Sequence, residues 1–171
     1  MLEKPSLSLR IWPLVAAVLV IIADQITKAL VAASIPFGAV AWSWGGDFFW
    51  LTHQRNTGVA FSLGNGLPEW VRHWLFIAVP LVVLIGLAIY GWRDRTLTVL
   101  QRWGLGLILG GGLGNIIDRV FRPDGVVDFL SFKLYGFLGM ERFATFNLAD
   151  SAVTVGGALI VLSLILGRRR K

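Results

Sequence analysis

No cysteine occurs in the 171 residues, which removes disulfides, thiol nucleophiles and thiolate metal sites together. Histidine is nearly absent: His53 and His73 are the only two, and their spacing does not suit a pair of zinc ligands. The sequence therefore predicts no metal and no cofactor. Charge is sparse as well. Asp, Glu, Lys and Arg make up 15% of the chain against 56% hydrophobic residues, and the mean hydropathy is +0.70.

In place of charge there are four long apolar runs, at 11–33, 74–92, 98–118 and 146–167. Each is near the roughly 20 residues that a helix needs to cross about 30 Å of hydrocarbon. The 74–92 run carries no charge and has no polar face to show to water, which a soluble bundle would need. The expected fold is an all-α membrane protein: four transmembrane helices in one integral domain over 1–171, with a small β element. "VAAS" at 31–34 faintly resembles a signal-peptide cleavage site, but the run is too long for one and is interrupted by Asp24 and Lys28.

The net charge of +6 points to a membrane rather than to nucleic acid because of where the cations lie. Lys4, Arg10, Arg93, Arg95, Arg102, Arg168, Arg169, Arg170 and Lys171 fall on one side, in short segments close to helix ends. Arg55, Arg72, Arg119, Arg122, Lys133 and Arg142 fall on the other, among seven acids. The positive-inside rule then makes both termini cytoplasmic. Trp42, Trp44, Trp50, Trp70 and Trp74 mark the outer interface, and Trp12, Trp92 and Trp103 the inner one.

Two connections face outward. The one at about 37–68 has β-type stretches at 48–53 and 58–63 separated by "RNTG", and reads as a small sheet on the membrane surface. The other, 119–145, reads as a loop. Gly106, Gly110 and Gly114 recur at spacing four, as do Ala152 and Gly156. These small stripes suit close helix packing, expected to hold the polar ends of the third and fourth helices together.

Those polar ends are the exception to the apolar pattern. Asn115, Asp118 and Arg119 lie at i, i+3 and i+4; Asn147 and Asp150 at i and i+3; Asp24 and Lys28 at i and i+4. Each set shares one helix face. All fall in the outer half of the membrane, and Asp128 follows Asp118 by ten residues. A conduction path would need polar groups through the whole thickness, yet residues 76–89 have no polar side chain. One site at one depth is left, and hydrolysis without thiol or histidine leaves paired carboxylates. Two aspartates held together share a proton: one can activate water while the other protonates a peptide carbonyl. Spacing alone does not choose among Asp24, Asp118, Asp128 and Asp150. Asp118 has Arg119 and Asn115 beside it and Asp24 has Lys28, while Asp124 sits in the turn sequence "RPDG". Asp128 and Asp150 have no local cation. A serine–lysine pair of Ser131 and Lys133 is the rival hydrolytic arrangement.

"DQITK" (24–28), "NTGVAFS" (56–62), "GGGLGNIIDR" (110–119), "GVVDFL" (125–130) and "FNLAD" (146–150) resemble, in order and spacing, the motifs of the lipoprotein signal peptidases, or signal peptidase II. That resemblance implies a bacterial inner-membrane aspartic protease. Such an enzyme removes signal peptides from prolipoproteins, cutting before a diacylglyceryl-modified cysteine. It implies a catalytic pair of Asp128 and Asp150, supported by Asn56, Asn115, Arg119 and Asn147, with Asp24 and Lys28 on the first helix and Asp118 beside them. It also implies a β-cradle on the membrane surface, contact with membrane lipid and inhibition by the cyclic peptide globomycin; for oligomeric state a monomer is the default expectation. The chain departs from the family pattern in "FATFN", where proline is common before "FN", in Val59, and in a somewhat long stretch over 129–145.

Overall fold

A computed structural model describes residues 7–57 and 68–168. The apolar runs form four helices: α1 (Ser8–Ser34), α2 (Glu69–Arg93), α3 (Val99–Phe121) and α4 (Leu148–Arg168). All four are long and apolar enough to cross a bilayer. Helix α3 begins at a capping box: Thr98 Oγ1 accepts from the Gln101 N–H, and the Gln101 side chain accepts from the Thr98 N–H. It runs past the expected end at 118 to Phe121, so Arg119 is helical rather than the first residue of a loop.

Helix α3 is the centre, with α1, α2 and α4 all packed on it. Glycine makes this possible on each of its sides. A Cβ at Gly106 or Gly110 would strike the backbone of α1 at Pro13 or Ala17; one at Gly104 or Gly111 would strike α4 at Gly156 or Ala149; one at Gly112 would strike Leu84 of α2. The stripe of Gly106, Gly110 and Gly114 thus faces α1, not α4 as expected. Contact with α4 instead uses glycines two turns apart, Gly104 and Gly111, which the helical period brings onto another face.

The sheet differs from expectation too. Its strands are β1 (Val40–Trp44), β2 (Phe49–Asn56) and β3 (Val126–Phe132), antiparallel in the order β1-β2-β3. The first outer connection does carry a sheet, and β2 covers 48–53 nearly throughout. The stretch at 58–63 lies outside the described residues. The third strand comes from the connection that reads as a loop. Residues Val126, Val127, Asp128 and Phe129 are all buried, so β3 is covered on both faces and lacks the alternation that marks a half-exposed strand. Val127 and Phe129 pack with Val31 and Ile35 from the end of α1, which locks the sheet onto the bundle.

Beyond β3, the chain is tied back to the β1–β2 turn. Lys133 Nζ lies 2.7 Å from Asp47 Oδ2, and Arg142 donates to the Asp47 carbonyl at 2.8 Å while stacking over the Trp50 ring. Each partner of the exposed Asp47–Lys133 pair favours the other's charged form, lowering the Asp47 pKa and raising that of Lys133.

Candidate active site

The start of α4 is built by its own sequence. Asn147 is the N-cap and Asp150 the third helical residue. Asn147 Oδ1 accepts from the Asp150 N–H at 3.0 Å, and Asp150 Oδ2 accepts from the Asn147 N–H at 3.1 Å. This reciprocal pair is a capping box in Asn and Asp form, and it puts a carboxylate where the helix dipole favours one. A further N–H of the first turn, that of Ala149, donates to Asp24 Oδ1 at 3.0 Å.

Asp128 reaches the same place from β3. Its Oδ1 accepts from Asn147 Nδ2 at 2.7 Å and its Oδ2 from Asn56 Nδ2 at 3.0 Å. Asn147 therefore holds both carboxylates, Asp150 through its backbone and Asp128 through its side chain. The same amide nitrogen has Asn115 Oδ1 at 3.0 Å and the Val127 carbonyl at 3.3 Å. Its two protons face three acceptors, so one is shared. Asn115 Nδ2 donates to the other oxygen of Asp150 at 2.7 Å.

Behind these groups lies a buried charge cluster. Lys28 Nζ lies 2.8 Å from Asp24, 3.3 Å from Asp118 and 2.8 Å from Asn115 Oδ1. Three ammonium protons meet three acceptors, and Lys28, Asp24 and Asp118 are fully buried. A charge removed so completely from water is tolerable only when paired in this way. Asp118 also accepts from the Val127 N–H at 3.1 Å, next to Asp128.

The cation at the end of α3 that pairs with Asp118 is Arg122, one turn on, at 3.1 Å. Sequence adjacency points to Arg119 for that role, but neighbouring helix residues point about 100° apart. Arg119 instead donates weakly to the Asn115 carbonyl at 3.4 Å, and its Nε is buried without a partner among the described residues. Arg119 lines a small cleft with Asn56, Thr57 and His73, within electrostatic reach of Asp150 and Asp128. Sequence reasoning missed Gln25. Its amide donates to Asp24, to the Gly114 carbonyl and to Asp118, and its signal was a lone amide inside the first apolar run.

Burial pushes the Asp128 carboxyl up to about 6; the hydrogen bond from Asn56 opposes the shift and the neighbouring Asp150 adds to it. Asp124 stands apart. It lies in a turn closed by the Gly125 N–H to the Arg122 carbonyl, and Gly125 has φ +99° with the Asn56 carbonyl too close for a Cβ. Ser131 and Lys133 do not form a pair: Ser131 Oγ accepts from Arg142 Nε, and Lys133 faces Asp47. Among the described residues, no three His, Cys, Asp or Glu side chains converge as metal ligands.

The chain is similar to known proteins over most of its length. It is 42% identical over 139 residues to a lipoprotein signal peptidase of Borreliella burgdorferi, 81% of each chain. It is 39% identical over 153 residues to one of Treponema pallidum, covering 90% of this chain and 82% of that one. A solved structure described as a bacterial membrane enzyme at 2.3 Å superposes with a TM-score of 0.79 and 29% identity, covering 100% of this chain and 96% of the other. A second, at 1.9 Å, gives a TM-score of 0.77. The model of signal peptidase (SPase) II matches residues 16–166, and to that family this chain belongs.

Proposed function

We propose that this chain is an aspartic endopeptidase that removes signal peptides from prolipoproteins, cleaving just before a diacylglyceryl-modified cysteine. Family membership carries the coarser part, a membrane protease acting on signal peptides. The aspartic mechanism rests on one observation: Asp128 and Asp150, from separate elements, are both hydrogen-bonded by Asn147.

In this mechanism Asp128 keeps the shared proton, since burial disfavours its charged form. Asp150 takes a proton from the attacking water while Asp128 gives its own to the carbonyl oxygen of the scissile bond. A tetrahedral diol forms; the proton gained by Asp150 then passes to the leaving nitrogen, and collapse of the diol returns one to Asp128. Asn56, Asn115 and Asn147 hold the carboxyl oxygens in position, while Lys28, Asp24 and Asp118 hold the asparagines and backbone. Arg119, whose Nε has no partner among the described residues, supplies positive charge beside the reacting groups.

The lipid sets the register. Acyl chains of the substrate lie in the bilayer against the helices, which brings the peptide bond to the depth of the carboxylates. Both termini are cytoplasmic, the site lies near the outer face of the bacterial inner membrane, and the enzyme works as a monomer. A cyclic peptide such as globomycin would compete for the same site.

Cleavage of one lipidated precursor by purified protein tests this reading. Asp128→Asn and Asp150→Asn are each expected to cut turnover at least about a hundredfold, with helical content unchanged. Asp124→Asn, in the turn before β3 and with no side-chain bond to either carboxyl group among the described residues, is expected to retain activity. Full activity in either dyad variant refutes the assignment; equal cleavage of unlipidated precursor refutes the lipid register.

A further inference from the structure

The opposite end of the bundle holds a second polar feature, which the proteolytic reading does not use. Helices α1 and α2 both pack on α3 but make little contact with each other. Between them a groove opens toward the bilayer, floored by Leu105 and Gly106 of α3. At its end two arginines converge. Arg102 of α3 is only 5% exposed, and its guanidinium donates to the carbonyls of Gly91 and Asp94. Arg10 of α1 lies over the Trp92 ring, with Nε buried and lacking a hydrogen-bond partner among the described residues.

The two guanidinium groups repel each other across the groove. Asp94 is the carboxylate within reach of Arg102, but its Oδ1 is taken by the N–H and hydroxyl of Thr96, both at 2.7 Å. Helices α1 and α3 begin at this end with no acidic residue in either first turn, so their dipoles add positive potential there, opposed by the ends of α2 and α4, where Arg102 caps the α2 carbonyls. Arg102 is buried with its donors on backbone carbonyls, and Arg10 is half-buried with an unused Nε donor facing that like charge, so an added anion between them would find a free donor and relieve the repulsion.

We infer that Arg10 and Arg102 form a binding site for the phosphate head group of an anionic phospholipid, whose acyl chain runs along the groove between α1 and α2. The enclosed space is about 50 Å³, far below the several hundred Å³ of a site for a whole soluble ligand. That suits a head-group fragment whose apolar remainder lies outside in lipid. Leu14 and Trp92, on the rim, are 43% and 54% exposed to that lipid. Basic pockets between transmembrane helices are a known form of lipid recognition.

Native mass spectrometry of the full-length protein, released from micelles with equimolar phosphatidylglycerol and phosphatidylcholine, tests the site. Retention of phosphatidylglycerol over phosphatidylcholine is expected. Arg10→Gln and Arg102→Gln should each lower that preference about fivefold, and Arg95→Gln, exposed outside the groove, should leave it unchanged. Arg102→Gln removes buried hydrogen bonds and can fail to fold; Arg10→Gln, which breaks none, keeps the test decisive. Equal retention of both lipids overturns the inference, as does an equal effect of Arg95→Gln, which would mean a diffuse basic rim. Displacement of phosphatidylglycerol by millimolar inorganic phosphate overturns the lipid occupant in favour of a small-anion site.

Discussion

Asn115 has no freedom in how it points. Its Oδ1 accepts from Lys28 and from Asn147, so its Nδ2 must turn toward Asp150. A buried ammonium thereby sets the direction of an amide that in turn holds a carboxyl. Asp128 has a different constraint, since burial favours its protonated form and raises its pKa from 3.8 to about 6. The folded state then binds more protons than the unfolded one between these values. Stability contributed by the protonated group is complete below about 3.8 and is lost as pH rises through about 6, by about 3 kcal/mol in all. Asp128→Asn removes this dependence. Thermal melts in detergent should show the parent losing stability relative to Asp128→Asn between pH 4 and pH 7; parallel profiles would contradict the shift. Catalysis has the same sign. If Asp128 carries the proton, kcat/KM falls as pH rises through about 6. Bound substrate excludes more water and holds the proton more tightly, so the alkaline limb of kcat should lie at higher pH than that of kcat/KM.

At the scale of elements, the critical joint is where α3 meets the first turn of α4. Gly111 faces the Ala149 carbonyl, one residue before Asp150, with Val153 also in the way of any Cβ. Gly111→Ala should force the helices apart at that point, costing about 1–3 kcal/mol and pulling Asp150 from Asn115. A Cβ added at Gly157 of α4 would meet nothing within 4 Å, so Gly157→Ala should leave melting temperature and cleavage nearly unchanged. Similar effects from both would show that the joint does not position the site. Much of this was legible in the sequence, because helix periods are short-range. The four spans follow from apolar run length, and the pairs Asp24–Lys28 and Asn147–Asp150 follow from i+4 and i+3 spacing. Three features were not legible. Strand β3 is buried on both faces, so it shows no alternation. Which glycine faces which helix depends on rotation about α3, which spacing does not give. The choice of Arg122 over Arg119 for Asp118 turns on the true end of α3, three residues beyond the apolar run.

For the whole molecule, the governing fact is that four helices are too few to bury much. Apart from the central α3, each keeps a broad apolar face outward: Val82 of α2 is 68% exposed, Leu30 of α1 60% and Val161 of α4 56%. Polar side chains have no place on those faces in hydrocarbon. Asp24, Lys28, Asp118 and Asn147 are instead gathered, fully buried, where the sheet covers one end of the bundle. The other end carries Arg10, Arg93, Arg95 and Arg102. This polarity is what the positive-inside rule needs for the proposed orientation, in which the arginine end is retained in the cytoplasm. The absence of cysteine permits a direct measurement on single-cysteine variants. Phe137→Cys probes the sheet side, where Phe137 is 67% exposed, and Arg95→Cys probes an exposed position at the arginine end. In sealed right-side-out vesicles, an impermeant maleimide should label Phe137→Cys at once and Arg95→Cys only after the membrane is permeabilised. The reverse pattern would put the carboxylates on the cytoplasmic face, where a precursor already translocated across the membrane could not present its cleavage site, and the proposed substrate would have to be abandoned.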